Sequence, residues 1–319
     1  MNEKKNNFNF AQKHLQKKMS VRVEHLLKIY GENKAVDDIS FSINSGEVVG
    51  FLGPNGAGKS TTMKIITGCI ASDGGEVFIN GINIKNGMKD LKRTIGYLPE
   101  NNPLYLNMYV KEYLEYSASM YLPKLEVKTA VDNAIESVGL TSHQYKKIGE
   151  LSKGYKQRTG IARAMVHNPS ILILDEPTTG LDPNQIVEIR NLIRELGKEK
   201  TVILSTHIMQ EAEAVCDRAI IISKGKIVAD NTLKNLEEES SQSIVTVEFD
   251  SEVKIEEIQN ISGVKKVEGS GKNFIVSSAE DIDVRKNIFD FAVKKNISVL
   301  SMTKNKGNLE NIFRDLTQK

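Results

Sequence analysis

The stretch Gly53-Pro54-Asn55-Gly56-Ala57-Gly58-Lys59-Ser60-Thr61 restricts this chain more than any other. It fits the spacing G-x-x-x-x-G-K-S/T, follows the apolar run Val48-Val49-Gly50-Phe51-Leu52 and opens into "KSTTMKIITG". The apolar run reads as a buried strand and the second segment as a helix. A phosphate-binding loop in that setting is read with more weight than the bare motif. Glycine leaves room for backbone N–H groups to close around phosphate oxygens, where a Cβ would stand in the way. Lys59 is expected to reach the β- and γ-phosphates and the Ser60 hydroxyl to ligate Mg²⁺, with Thr61 and Thr62 beside it. The loop alone leaves the chemistry after binding open.

"ILILDEP" supplies the second half. Asp175, a carboxylate closing a buried strand, can hold Mg²⁺ through water, and the adjacent Glu176 is placed to polarise an attacking water. One carboxylate for the metal and one for the base is the minimum for hydrolysing a triphosphate. A P-loop kinase would not need Glu176, and the guanine-reading N-K-x-D of a GTPase is not found.

Around these motifs the chain reads as α/β. "ILILDEP" and "TVILST" are short, β-branched and apolar throughout, with a helical stretch between them, as in parallel sheets covered on both faces. "GGEVFINGINI" reads as a hairpin turning at Asn80-Gly81. Residues 109–139 have helical spacing. After the charged run "NLEEESSQS" the order is β-α-β-β-α-β plus a helix, a ferredoxin-like pattern with no phosphate loop or nucleophile–base pair of its own. The expected divisions are 1–19, 20–236 and 237–319.

Charge and composition exclude several classes. Residues 1–19 carry five lysines against one glutamate, so the formal +2 lies in this tail and the remainder is slightly acidic. That is not the profile of a nucleic-acid binder, and none is expected as a partner. The tail is expected to be disordered or to precede a true start at Met19. No apolar run reaches the ~20 residues of a membrane span. Cys69 and Cys216 lack disulfide or metal spacing and are expected to be buried thiols in a reducing, cytoplasmic compartment.

The motifs above, followed in order by "LSKGY", "TTGLDP" and "STH", resemble the ATP-binding subunit of ABC transporters over residues Val21 to Leu236. The resemblance implies a P-loop ABC ATPase with an antiparallel β subdomain and a helical subdomain, using ATP and Mg²⁺. It implies that Tyr30 stacks on adenine and that Ser152 and Gly154 meet the γ-phosphate held by a facing protomer. Asp182 would cross the dimer seam, and His207 would be the switch histidine. A homodimer or heterodimer would drive a separate transmembrane permease subunit and lie on the inner face of the plasma membrane through it.

Two positions depart from the family pattern. Glu100 stands where a glutamine usually ligates Mg²⁺; a carboxylate can make that contact but, while ionised, donates no hydrogen bond. Lys153 stands in the signature where glycine is commoner, either assisting the anion site across the dimer or simply solvated. "NNPLYLNMYVKEYLEYSASMYLP" would supply the permease socket, with Tyr105 and Tyr109 at the interface. "YLPENNPLYLNMYVKEYL" with "LSKGYKQR" is most similar to the subunit of gliding-motility-associated transporters, and exporter subunits share much of it. The rival classes are a soluble ABC protein acting on ribosomes or DNA, and a regulatory module without transport. A single cassette without a heptad-rich insertion or basic patch disfavours the first.

Overall fold

The computed structural model describes residues 19–239, 244–278, 282–305 and 309–317. The basic tail before Met19 and part of the charged run after Leu236 lie outside the described residues. The chain divides into two compact units between Asn231 and Thr232.

The first unit opens with β1 (Met19–Tyr30), β2 (Asn33–Asn44) and β3 (Val48–Leu52). Helix α1 (Lys59–Ile66), β4 (Gly74–Ile79), β5 (Ile82–Asn83), α2 (Ile84–Leu91) and β6 (Ile95–Leu98) follow. Helices α3 (Val110–Ser119), α4 (Lys124–Ser137) and α5 (Lys153–Met165) form the helical region. The unit then alternates β7 (Ile171–Asp175), α6 (Pro183–Gly197), β8 (Thr201–Thr206), α7 (Met209–Val215), β9 (Arg218–Ser223) and β10 (Lys226–Thr232).

The central sheet runs β10-β9-β3-β8-β7-β6. Within it β9, β3, β8, β7 and β6 pair in parallel. Every residue of β3, β7 and β8 is buried, because helices and a second sheet cover both faces. That is why these strands are apolar without alternation. A smaller antiparallel sheet, β2-β1-β4-β5, shares one hydrophobic cluster with the central sheet, and the Phe41 and Phe51 rings meet at 5.5 Å. Fully burying side chains such as Phe51, Ile173 and Ile203 contributes roughly 1.5–3 kcal/mol each. Asn80 (φ 50°) and Gly81 (φ 82°) both turn with positive φ between β4 and β5, the geometry of a two-residue type I′ hairpin.

Parallel pairing brings the C-terminal ends of β3, β7 and β8 to one edge, where Leu52 lies opposite Thr206 and Asp175 opposite Ser205. The loops that follow those strands therefore converge.

The second unit adds α8 (Leu233–Glu239), β11 (Ile244–Phe249), α9 (Ile255–Gln259), β12 (Val264–Ser270) and β13 (Asn273–Ser278). It closes with α10 (Arg285–Lys295), β14 (Val299–Asn305) and α11 (Leu309–Thr317). The sheet order β12-β13-β11-β14, all pairs antiparallel, is the ferredoxin-like arrangement. It has its own core, in which Phe249 and Phe274 pack beside Val245, Val247 and Val276 against Ile288 of α10.

One cysteine departs from expectation. Cys216 is buried, and burial pushes its thiol up. Cys69 is exposed: α1 ends at Ile66, so Cys69 lies in the turn beyond the helix rather than on its inner face.

Candidate functional site

The loop between β3 and α1 is shaped by backbone that only glycine accepts cheaply. Gly58 has φ 108°, and a Cβ there would lie 2.3 Å from the Ala35 carbonyl oxygen. Lys59, the first residue of α1, is only 5% exposed. Its ammonium donates to the carbonyls of Gly53 (2.8 Å) and Pro54 (3.1 Å) and lies 3.5 Å from Glu176 Oε1. The cation is thus folded back across its own loop.

Asp175 ends β7 fully buried. Its Oδ1 accepts the hydroxyls of Ser60 (3.0 Å) and Ser205 (2.7 Å). Its Oδ2 is buried with no hydrogen-bond partner among the described residues. An orphaned buried carboxylate oxygen beside the P-loop hydroxyl suits a hard cation, which needs oxygen ligands and brings positive charge. Mg²⁺ takes one or two protein carboxylates plus phosphates and water, so this sparse donor set fits it.

Glu176 follows β7 with φ 49°, in the left-handed region that costs a non-glycine residue about 1–2 kcal/mol. Its amide donates to the Ser205 carbonyl (3.0 Å), pinning the turn to β8. The carboxylate is held at both ends: Oε1 faces Lys59, while Oε2 accepts from Thr179 Oγ1 (3.3 Å) and from His207 Nδ1 (2.9 Å). A carboxylate has no proton to give, so Nδ1 of His207 carries one and Nε2 is the nitrogen left to act.

Lys59, Ser60, Thr61, Glu100, Glu176 and His207 line one cavity of about 370 Å³, and the buried Asp175 is tied to it through the Ser60 hydroxyl. Glu100 is exposed at its rim. The residues expected from separate motifs are therefore brought together. Ser205 and Thr179 carry no signal of their own in the sequence; they stand inside "STH" and "EPTTG" beside the more conspicuous histidine and carboxylate.

Ser152, Gly154 and Asp182 do not line that cavity. Ser152 is exposed at the N-cap of α5, where its Oγ accepts the Tyr155 amide (3.4 Å), and the first turn of this helix holds no acid. Such a helix start attracts anions. Gly154 is buried against α6: a Cβ on it would lie 2.7 Å from the Gln185 side-chain amide carbon. Asp182 caps α6 by accepting the Gln185 amide (2.9 Å). Lys153 reaches toward its own chain, its ammonium lying where a Cβ on Gly180 would be. It lines a second cavity of about 510 Å³ together with Lys156, Asn102, Glu100 and Glu176. Tyr30 ends β1 about half exposed, with the Lys28 ammonium 5.3 Å from its ring centre.

A third cavity of about 450 Å³ opens between the central sheet's edge and the helical region. Tyr105 stands exposed at its wall, 5.7 Å from the Tyr113 ring and 6.0 Å from the Tyr116 ring. Arg163 and His167 also line it, and Arg163 donates to the Tyr97 carbonyl (3.0 Å). Burial pushes the Tyr113 phenol up. Tyr109 is exposed just before α3 and is not part of this lining.

The family model for ABC transporters matches residues 36–179. The bacitracin transport ATP-binding protein BcrA of Bacillus licheniformis is 41% identical over 210 residues, 65% of this chain and 68% of that protein. The linearmycin resistance ATP-binding protein LnrL of Bacillus subtilis (strain 168) is 35% identical over 306 residues, 93% of this chain and 98% of that one. Among solved structures, the dimeric post-hydrolysis state of the ATP-binding cassette MJ0796 bound to ADP and Pi superposes with a TM-score of 0.61. It is 28% identical and covers 67% of this chain and 98% of that one.

Proposed function

This chain belongs to the ABC transporter ATP-binding family and is an ATPase, and on that premise we propose that it drives an exporter through a dimer closing on two MgATP molecules. One observation carries this reading. The α5 N-terminus exposes Ser152 and carries no acid in its first turn, which suits an anion, yet Ser152 is absent from the lining of the cavity that holds Lys59 of the same chain. A second copy, facing it, gives each half-site its missing half.

In this reading the P-loop residues Gly53 to Thr62 wrap the phosphates, Lys59 turns from the Gly53 and Pro54 carbonyls to the β- and γ-phosphates, and Tyr30 stacks on the adenine. Ser60, Asp175 and Glu100 hold Mg²⁺, which when bound neutralises charge on the phosphate oxygens. Glu176 takes the proton of the attacking water, and His207, oriented through Nδ1, presents Nε2 toward the γ-phosphate. Ser152 and Gly154 of the facing copy complete the anion cage with Lys153 nearby, and Asp182 meets the seam.

The cavity walled by Tyr105, Tyr113 and Tyr116 is proposed as the seat of a transmembrane permease subunit, with Tyr109 beside it. Tyr105 and Tyr116, both exposed, suit a partner interface, with the buried Tyr113 packed behind them. No helix of the described residues is long and apolar enough to cross a membrane, so the membrane path belongs to that partner, which holds the ATPase at the inner face. The names of the relatives for bacitracin transport and linearmycin resistance support export. The finer assignment to gliding motility rests on the stretch from Tyr97 to Leu114 together with "LSKGYKQR" alone.

The test is Glu176→Gln in saturating MgATP. Sedimentation should find an ATP-bound dimer, because binding and closure survive loss of the base; a monomer under those conditions overturns the reading.

A further inference from the structure

Glu211 lies in α7 and is 2% exposed, with no ion pair recorded for it among the described residues. Burying a carboxylate without a cation is costly, so such a group is expected to have a specific task. Its two oxygens are used separately. Oε1 accepts the Thr178 hydroxyl (2.5 Å) and Oε2 accepts the Thr206 hydroxyl (2.7 Å). The Thr206 oxygen itself accepts the Ile208 amide (3.1 Å), which leaves its proton free for Glu211. A carboxylate accepts two hydroxyl protons on opposite oxygens at once; an amide offers one acceptor only.

The positions of the two threonines give the bridge its meaning. Thr178 is two residues past Glu176, and Thr206 immediately precedes His207. A first tie between these loops is the Glu176 amide on the Ser205 carbonyl. Glu211 supplies a second, through side chains rather than backbone. The 2.9 Å contact between Glu176 and His207 is thus held on both sides.

We propose that Glu211 is a positioning residue for ATP hydrolysis, tying the loop that carries Glu176 to the loop that carries His207 through Thr178 and Thr206. It does not line the cavity of Lys59 and acts through the geometry of the pair. The proposal rests on the reading of Glu176 as base.

The experiment measures kcat, the KM for ATP and the ATP-dependent dimer for Glu211→Ala, Glu211→Gln, Thr178→Val and Glu176→Gln. Glu211→Ala should lower kcat more than about tenfold with KM held within about twofold, the pattern of a lost transition-state arrangement. It should also accumulate the ATP-bound dimer, as Glu176→Gln does. Glu211→Gln, of the same shape but with a single acceptor oxygen, can keep only one of the two ties, so its kcat should fall between those of wild type and Glu211→Ala. Thr178→Val, isosteric with threonine, should lower kcat several-fold at unchanged KM. A wild-type kcat in Thr178→Val, whatever the fate of Glu211→Ala, overturns the proposal, and so does a loss of ATP affinity in parallel with rate. Wild-type hydrolysis by Glu176→Gln instead overturns the base assignment and with it the purpose given to Glu211.

Discussion

Glu176 and His207 leave the ends of neighbouring parallel strands and meet in a 2.9 Å hydrogen bond from Nδ1 to Oε2. Neither side chain is near the other in sequence. Their approach follows from the pairing of Asp175 with Ser205, one residue before Glu176 and two before His207. The bond places the ring proton on Nδ1, since the carboxylate can only accept.

Replacing Glu176 by glutamine should slow hydrolysis by ~10²–10⁴-fold, the range for a lost general base. ATP affinity should change little, since Lys59 and the glycine loop are intact. Phosphate release and nucleotide binding, measured on the same preparation, check both halves. Unchanged phosphate release removes Glu176 from the mechanism.

Asp175→Asn separates metal binding from folding. The wild-type carboxylate keeps one buried oxygen unpartnered, and an amide there carries no charge to compensate. In the absence of nucleotide the variant should melt close to wild type. The rise in melting temperature that Mg²⁺ adds to ATP should disappear, because a ligand stabilises only as far as it binds the folded state. A full Mg²⁺-dependent rise in Asp175→Asn would exclude this carboxylate from the metal site.

Tyr30→Ala should weaken ATP binding by about 1–3 kcal/mol, the worth of one base stacked on an aromatic ring. As Tyr30 is half exposed and far from the carboxylates in the chain, kcat at saturation should hold. An unchanged KM for ATP means that the adenine lies elsewhere.

His167 gives the molecule a pH-dependent stability. Burial, reinforced by Lys200 and Arg163, holds its imidazole below the ordinary value of 6.5, against the hydrogen bond to the Ile95 carbonyl that raises it. Its ring is stacked on Tyr121 at 4.2 Å. The unfolded chain takes up this proton near 6.5 while the folded protein does not. Stability is therefore full above that pH and falls as the pH drops below it, by up to about 1.4 kcal/mol per pH unit for one proton. Thermal melts of wild type and His167→Gln between neutral and mildly acidic pH should diverge in slope, the variant being flatter. Parallel curves would contradict the assignment.

Much of this was legible where chemistry is contiguous. The phosphate loop, the Asp175-Glu176 pair and the Asn80-Gly81 turn each sit in one short stretch whose residue types leave few alternatives. The element order of the second unit could also be read, because β-branched runs such as "IVTVEF" and "NFIVSS" are separated by charged stretches such as "KIEEIQNI". What sequence did not reveal is held by pairing across the sheet. Ser205 contributes to the site only because β8 lies beside β7, and Glu211 is a bridge only because two loops converge on α7. Cys69 was misplaced for a local reason: the helix stops at Ile66, three residues short of it, so a residue type that is usually buried sits in a turn.

The most direct test of the clasped dimer mixes two inactive chains, Lys59→Ala and Ser152→Arg. Each variant alone damages every site of its own dimer. A mixed dimer contains one site built from an intact Lys59 on one chain and an intact Ser152 on the other. Hydrolysis should therefore reappear on mixing. A mixture as inactive as its parents, at concentrations where the mixed dimer is demonstrably formed, would mean that the two half-sites do not meet across a pair of chains.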